Sequence, residues 1–156
     1  MTARNNPIVE ATERDFIITR TFDAPRERVF KACTDPKHLA ERWGPNGFAN
    51  TFHEFDLSPG GAWRFVMHGP NGVDYKNESV FIEIVKPERI VFNHISPPRF
   101  QVTATLTEQA GKIKLPWRML FESANEYNKV KSFAIDGNKQ NLDRLNEHLV
   151  KMGESK

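Results

Sequence analysis

His94 is the side chain in this sequence whose position best suits acid–base chemistry. It follows Ile90 and Phe92 at alternate positions, so the three side chains share one face of a predicted strand. We expect that face to point into the protein, where a histidine could act near neutral pH as an acid, a base or a hydrogen-bond donor. A buried histidine with a purely structural hydrogen bond is the favoured alternative. His94 is therefore a candidate catalytic and ligand-binding residue.

Two neighbouring carboxylates offer a second possible acid–base pair. Glu54 and Asp56 lie at alternate positions, and therefore on one face of a predicted strand over residues 51–57. Whether that face points inward depends on whether Phe52 or Phe55 is buried, and the sequence leaves this open. An ordinary solvated face is the favoured interpretation for both carboxylates.

The pattern of histidines and cysteine predicts no metal site. His38, His53, His68 and His148 show neither i, i+4 nor His-x-His spacing, and Cys33 is the single cysteine of the chain. The sequence also contains no Gly-x-Ser-x-Gly elbow, no dinucleotide fingerprint and no phosphate-binding loop with its lysine. We therefore predict no bound metal ion and no cofactor.

Two tryptophans place hydrogen-bond donors on otherwise apolar strand faces. Trp63 and Trp117 each alternate with other apolar side chains. A buried indole N–H needs a partner, so both could orient the polar end of a ligand in an apolar pocket. A close-packed core is the alternative for these faces. The predicted ligand-binding residues are Trp63, Phe65, Met67, Phe92, His94, Trp117, Met119, Phe121 and Phe133.

Composition indicates one domain that binds no nucleic acid and does not insert into membranes. The chain has 156 residues, and its 22 basic and 20 acidic residues leave a net charge of +2 without a cluster of one sign. No apolar run approaches the roughly 20 residues that a membrane-spanning helix needs. Met1 to Ala11 is too polar for a signal peptide and one cysteine cannot form an internal disulfide, so a cytoplasmic location is expected.

Proline and glycine residues mark two short helices after a first strand. The strand is predicted over Arg14 to Phe22. Pro25 fits the first turn of a helix that Pro36 ends. Asp35 can cap a second helix, which stops at Gly44-Pro45. The two helices therefore interrupt the chain between its first strand and the strands that follow.

The middle of the chain alternates between apolar and polar residues and is divided by Gly- and Pro-containing turns, which predicts antiparallel hairpins. The last strand is predicted over residues 112–122, and Pro116 removes a backbone donor within it. That strand is therefore expected to lie at an edge or to carry a bulge at the proline. Its one-sided apolar residues are Ile113, Leu115, Trp117, Met119 and Phe121.

Three arginines alternate with apolar residues in predicted strands. Arg64 and Arg118 fall on the faces opposite the aromatic side chains and are expected to reach solvent. Arg20 shares a face with Phe16 and Ile18 and is expected to turn inward. A buried guanidinium without a partner is costly, so Arg20 should pair with a carboxylate.

The C-terminal part changes to helical periodicity. Ser123 and Glu126 have capping-box spacing, and a helix of about 25 residues follows, with Gly137-Asn138 weakening its middle. We predict that it lies across the sheet, in an α+β fold. Residues 1–13 are expected to be a flexible N-terminus, 14–150 a single domain and 151–156 a flexible tail. The apolar stripe of the helix is Tyr127, Val130, Phe133, Leu142, Leu145 and Leu149.

Six short motifs, specific as a set, occur along the chain. They are Phe22-Asp23-Ala24-Pro25 with Val29-Phe30, Thr34-Asp35-Pro36, Trp43-Gly44-Pro45 with Gly47-Phe48, Pro59 to Met67, Pro87 to Phe92, and Leu142 to Leu145. With them the chain resembles, from about Asp15 to Leu149, proteins similar to the C-terminal domain of the heat-shock-protein-ninety ATPase activator, within the START-like or Bet v-like helix-grip superfamily. The resemblance implies an antiparallel sheet of six or seven strands around the long C-terminal helix. It also implies an internal cavity, which in relatives holds lipids, sterols, aromatic polyketides or no known ligand. Gly137-Asn138 replaces a Gly-Trp pair common in relatives, which would leave more room for a ligand.

The resemblance and the residues together leave three functions open. The first is a binding protein, without enzymatic activity, for a small apolar or aromatic molecule. The second is a chaperone-associated protein-interaction module, which needs an exposed apolar patch that Trp43, Phe48 and Phe55 could supply. The third is an enzyme of the polyketide-cyclase or lyase kind, in which His94 or a carboxylate moves protons. The binding protein is the favoured function.

Overall fold

The computed structural model describes residues 7–154, which form nine strands and three helices. The strands are β1 (Ile8–Ala11), β2 (Asp15–Phe22), β3 (Ala49–Phe55), β4 (Ala62–His68), β5 (Asp74–Val85), β6 (Arg89–His94), β7 (Phe100–Thr105), β8 (Thr107–Gln109) and β9 (Lys112–Phe121). The helices are α1 (Arg26–Thr34), α2 (Pro36–Arg42) and α3 (Ala124–Glu154).

The strands form one antiparallel sheet in the order β1-β2-β9-β7-β6-β5-β4-β3, with β8 paired to β9. Helix α3 packs against β2 and β9, and α1 and α2 pack against α3. The predicted α+β fold, with two short helices ahead of most of the sheet and one long C-terminal helix, is confirmed. Within residues 7–154, no helix combines the length and apolar character needed to cross a membrane.

The sheet contains more strands than the predicted six or seven, because β1 and β8 are additional short strands. Every residue of both is exposed, so neither shows the alternation of burial on which strand prediction depends. Strand β1 pairs with β2 from Ile8↔Thr19 to Ala11↔Phe16. Residues 8–11, within the segment expected to be a flexible N-terminus, therefore form an edge strand, and residues 1–6 lie outside the described part of the chain.

The short helices begin and end where the prolines predict. Pro25 is the N-cap of α1, and its carbonyl accepts from the backbone N–H of Val29 at 3.1 Å. The carboxylate of Asp35 accepts from the backbone N–H of Lys37 at 3.0 Å, so it caps α2 as expected. Pro36 occupies the first turn, where its missing N–H costs nothing.

A bulge in β3 resolves which of its phenylalanines faces the core. The register against β4 shifts between Phe52 and Glu54, so the inserted residue places both Phe52 and Phe55 on the inner face. Their rings stack with centroids 5.8 Å apart, and both are partly buried. Glu54 is left on the outer face, 47% exposed and 3.2 Å from Arg64.

Strand β9 buries its predicted apolar stripe, with each of the five side chains at most 5% exposed. Pro116 pairs with Thr19 of β2 on one side. On the other side, pairing with β7 ends at Trp117, and pairing with β8 begins at Lys114. The missing donor of Pro116 therefore falls in a gap of the ladder, as expected for a proline that acts as a local edge residue.

Helix α3 has 31 residues, more than the predicted 25 or so. Ser123 Oγ accepts from the backbone N–H of Glu126 at 3.1 Å, which is half of the predicted capping box. The helix continues through Gly137, although a glycine inside a helix costs roughly 1 kcal/mol relative to alanine. It also continues to Glu154, so the predicted flexible tail is helical at 151–154, and residues 155–156 lie outside the described part.

The burial of α3 follows the predicted stripe except in its middle. Tyr127, Leu142 and Leu145 are fully buried and Leu149 is 3% exposed. Phe133, in contrast, is 78% exposed. Phe133 is not part of the close-packed core, because the helix borders a pocket at this point.

The arginines behave as their positions predict. Arg20 is 5% exposed, and its Nη1 atom contacts Asp143 Oδ1 of α3 at 2.5 Å, so an ion pair joins β2 to the helix. Arg64 is 54% exposed and Arg118 is 44% exposed. The inward and outward faces of the sheet are therefore those that the sequence indicates.

Candidate functional site

A pocket of about 270 Å³ lies between the sheet and α3. Its sheet wall consists of Phe65, Met67, Phe92, Val102, Met119 and Phe121. Its helix wall consists of Val130, Phe133, Ala134 and Gly137. A third wall is the segment after α2, with Trp43, Gly44 and Pro45. Since nearly all of these groups are apolar, the pocket suits the hydrocarbon part of a small molecule.

The structure brings seven of the nine predicted ligand-binding residues to this pocket. They come from β4, β6, β9 and α3 and are Phe65, Met67, Phe92, His94, Met119, Phe121 and Phe133. Phe133 lies at the rim, because most of its side chain remains exposed. Alternation within strands predicts the inward members of this set, and helical periodicity predicts Phe133.

Trp63 and Trp117 lie outside the pocket. The ring of Trp43 lies between these two indoles and the pocket, with its centroid 5.1 Å from that of Trp63 and 5.7 Å from that of Trp117. The two indoles border a separate void of only about 20 Å³, and each indole N–H is buried without a hydrogen-bond partner in residues 7–154. They contribute to the core behind the pocket and do not reach its space.

Trp43 is a pocket residue that the ligand-binding prediction omitted. Its ring lines both the pocket and the small void, and it packs edge-on against Phe92 at 6.3 Å. Its position at the C-cap of α2, just before Gly44-Pro45, was visible in the sequence as the end of a helix. That signal gives the end of the helix but not the packing that places the ring against Trp63, Phe92 and Trp117.

Helix α3 holds the third wall in place through two polar side chains. Asn141 Oδ1 accepts from the backbone N–H of Gly44 at 3.0 Å and from Arg42 Nη1 at 3.3 Å. Arg144 donates to the carbonyls of Trp43 and Gly44 at 3.1 Å each. A methyl group on Gly137 would lie 3.3 Å from Pro45 Cγ, so the glycine permits this close approach of loop and helix. The wall is therefore a fixed part of the fold.

Five polar residues border the otherwise apolar pocket. Asn77, Ser79 and His94 belong to β5 and β6, and Asn138 and Asn141 belong to α3. The sequence analysis did not select the β5 residues, because alternation alone does not show which face of that strand points inward. The strand register supplies the missing information, since Ser79 pairs directly with His94.

His94 is 7% exposed and both of its ring nitrogens are engaged. Nδ1 lies 2.8 Å from the carbonyl oxygen of Pro98, which only accepts hydrogen bonds, and Nε2 lies 2.7 Å from Asn77 Oδ1. The ring also stacks on Phe100, with centroids 4.4 Å apart. Burial lowers the pKa of His94, while hydrogen bonds with the backbone of Pro98 and Ser96 act in the opposite direction. None of these partners is a carboxylate, so the contacts match the structural alternative for His94.

A second histidine site lies at the junction of α2 and α3. His38 Nδ1 contacts His148 Nε2 at 2.8 Å, and His148 Nδ1 lies 3.9 Å from Glu41 Oε1. Burial and the neighbouring His38 lower the pKa of His148, and Glu41 opposes this. The two histidines are 110 positions apart, so sequence spacing could not reveal the pair. Among residues 7–154, no three His, Cys, Asp or Glu side chains are grouped to hold a metal ion.

The carboxylates considered as an acid–base pair lie on the solvated surface. Glu54 pairs with Arg64, and Asp56 Oδ1 accepts from Ser58 Oγ at 2.8 Å. Neither lines the pocket. Their solvated-face interpretation is confirmed.

Comparison with known proteins agrees with the fold and the motifs. The sequence model of the family described as "Activator of Hsp90 ATPase homolog 1-like protein" matches residues 23–150. The chain belongs to this family. No curated protein matches the sequence.

Several solved structures resemble this member of the activator-like family. A protein from Arthrobacter aurescens, solved by NMR, is 22% identical with a TM-score of 0.86, over 92% of this chain and 91% of that one. A protein from Mycobacterium smegmatis is 24% identical with a TM-score of 0.83, over 93% and 98%. A family member from Silicibacter pomeroyi is 19% identical with a TM-score of 0.74, over 88% and 99%. At these identities the likeness establishes the shared fold.

Proposed function

We propose that this protein binds a small, largely apolar molecule in the pocket between the sheet and α3. The observation that carries the proposal is the pocket itself, about 270 Å³ of space walled by aromatic and aliphatic side chains from three parts of the fold. Ligand pockets in proteins typically have volumes of about 300 to 1,000 Å³ and mostly apolar walls. The size therefore fits a compact ligand, on the scale of a molecule with two fused rings.

The contrast with the rest of the interior supports the same proposal. Behind Trp43 the aromatic side chains pack closely, and the void that remains there is only about 20 Å³. Protein interiors ordinarily leave few spaces larger than a water molecule. A larger space with an apolar lining, bordered by a loop that α3 holds in place, is consistent with a site kept open for a ligand.

The protein-interaction alternative receives less support. It requires Trp43, Phe48 and Phe55 on an exposed apolar patch, but all three are only partly exposed. Trp43 and Phe55 instead contact Trp63, with ring centroids 5.1 Å and 5.8 Å away. The enzymatic alternative also receives little support, because the contacts of His94 supply no second titratable group.

A pair of matched variants tests the proposal. Ala134 lies in the helix wall, so Ala134→Trp should fill the pocket, whereas Ser132→Trp adds the same side chain at an exposed position of α3. Native mass spectrometry of protein purified from its own host should show a retained small molecule on the parent and on Ser132→Trp, and none on Ala134→Trp. If the parent retains nothing, it should still bind added naphthalene. Equal ligand retention in all three proteins would contradict the proposal. So would a parent protein that neither retains a host molecule nor binds added naphthalene.

A further inference from the structure

The pocket lining offers no free partner to a charged ligand. Within the described part of the chain it contains no Asp, Glu, Lys or Arg, and both ring nitrogens of its one histidine, His94, are already bonded to Pro98 and Asn77. A charged ligand would lose its hydration there without gaining an ion pair, and burial of an unpaired charge is costly. The pocket is therefore built for a neutral molecule.

The guanidinium groups beside the third wall do not change this conclusion, because they bond to other protein groups and do not line the pocket. Arg42 is 3% exposed and donates to the carbonyl of Ala32 at 3.2 Å as well as to Asn141. Arg144 donates to backbone carbonyls of the third wall. Both cations lie behind the wall, where they disfavour a cationic ligand and offer no direct bond to an anionic one.

Ser79 is the polar group of the sheet wall that lacks a partner. It is 1% exposed, and its hydroxyl oxygen makes no hydrogen bond to any residue in 7–154. Its polar neighbours are already occupied: His94 by Pro98 and Asn77, and Asn77 Nδ2 by the carbonyl of Tyr75 at 3.0 Å. A buried hydroxyl without a partner is destabilising, so a ligand that supplies one gains affinity.

From these observations, and resting on the proposed function, we infer that the ligand is an uncharged molecule with a carbonyl or hydroxyl oxygen that hydrogen-bonds to Ser79 Oγ. Its hydrocarbon part contacts the sheet wall around Phe92 and Met119 and the helix wall around Ala134. Ser79 thus determines which end of the ligand enters the sheet side of the pocket, and a lining without a free ionic partner excludes carboxylates and ammonium groups.

Three naphthalene derivatives of similar size separate the contributions of charge and hydrogen bonding. 2-Acetylnaphthalene has a carbonyl, 2-ethylnaphthalene has no polar group, and 2-naphthoate is an anion at pH 7.5. Isothermal titration calorimetry of the parent should show that the ketone binds about 5-fold more tightly than the ethyl compound, the value of one ordinary hydrogen bond. The naphthoate should bind at least about 100-fold more weakly than the ketone.

Ser79→Ala tests the hydrogen bond, and Ser132→Ala on the exposed face of α3 is its control. Removal of an unpartnered hydroxyl should leave the fold intact, so the thermal midpoint of Ser79→Ala should equal or exceed that of the parent. The variant should bind the ketone and the ethyl compound with affinities within about 2-fold of each other, while Ser132→Ala should keep the preference of the parent.

The outcomes separate the inference about the ligand from the proposed binding function. Tight binding of 2-naphthoate, or a ketone preference that survives in Ser79→Ala, would overturn this inference and leave the binding function standing. Equal affinity of the parent for the ketone and the ethyl compound would do the same. Failure of all three compounds to bind would overturn the binding function together with the inference.

Discussion

Arg144 Nη1 on α3 donates a hydrogen bond to the carbonyl oxygen of Pro45 at 2.9 Å. The same guanidinium also reaches the carbonyls of Glu41, Trp43 and Gly44 at 3.0 to 3.1 Å. One side chain therefore satisfies four carbonyls at and beyond the end of α2, where helical carbonyls lack intrahelical partners. These contacts connect the long helix to the third wall of the pocket.

Replacement of Arg144 tests this connection. Arg144→Lys keeps the charge but cannot present several N–H groups in a fixed plane, so the free energy of unfolding should fall by about 1 to 3 kcal/mol. Affinity for naphthalene should fall as well, since Trp43 is no longer held against α3. Arg64→Lys, at an exposed ion pair with Glu54, is the control and should cost less than about 1 kcal/mol. Equal destabilisation in urea titrations of the two variants would contradict the assigned role.

Leu145 anchors the C-terminal half of α3. Its side chain is fully buried, so Leu145→Ala should lower the free energy of unfolding by about 2 to 5 kcal/mol through lost burial and a residual cavity. Val150 on the same helix is 55% exposed, and Val150→Ala should change the free energy by less than about 0.5 kcal/mol. A chemical-denaturation midpoint for Leu145→Ala that matches the parent would show that this part of the helix does not pack on the sheet.

The His38–His148 contact makes stability depend on pH. Burial and the proximity of His38 lower the pKa of His148 below its ordinary value of 6.5, with Arg42 and Lys151 acting in the same direction and Glu41 opposing them. The unfolded chain therefore binds more protons than the folded one below pH 6.5, and the free energy of unfolding should decrease as pH falls through and below that value. Burial lowers the pKa of His94 and adds a contribution of the same sign.

A variant of His148 and a control at another histidine test this source of the pH dependence. His148→Gln should flatten the decrease in stability between pH 7 and pH 5, measured as urea midpoints across the range. His53→Gln, at an exposed position of β3, should leave the slope as in the parent. A parent whose stability rises as the solution is acidified through this range would contradict the assignment.

Trp117 and Trp43 should differ in their effect on ligand binding. Trp117 lies behind Trp43, so Trp117→Phe should leave the affinity for naphthalene within about 2-fold of the parent. Trp43→Phe removes part of the third wall and should weaken binding by more than that. If calorimetric titrations showed a larger loss of affinity in Trp117→Phe than in Trp43→Phe, Trp117 would belong to the ligand site, as the sequence suggested.

The elements with a clear period were predictable from the sequence. The stripe of β9 and the caps of α2 and α3 depend on residues a few positions apart, and local physics determines them. The strands β1 and β8 carry no such pattern, because every residue of both strands is exposed. Phe133 lies on the predicted stripe but at the rim of the pocket, because periodicity identifies the side of a helix but not whether core or open space lies opposite.

Much of the site depends on tertiary contacts that no local pattern encodes. The bulge in β3 and the register of β5 against β6 determine that Phe52 and Phe55 both face inward and that Ser79 lies beside His94. Trp43 reaches the pocket through the bonds of Arg144 and Asn141, about 100 positions away in the chain. The alternation of apolar residues in the strands could not show that the indoles of Trp63 and Trp117 lie behind Trp43.

The methionines provide the most direct test of ligand binding. The chain has four, of which Met67 and Met119 line the pocket, while Met152 lies near the end of α3 away from it. Protein with ¹³C-labelled methionine methyl groups should show saturable shifts of the Met67 and Met119 signals as naphthalene is added, with the Met152 signal unchanged. Ala134→Trp should abolish those shifts. Shifts of similar size at Met152, or no shift at Met67 and Met119 in the parent, would contradict the account.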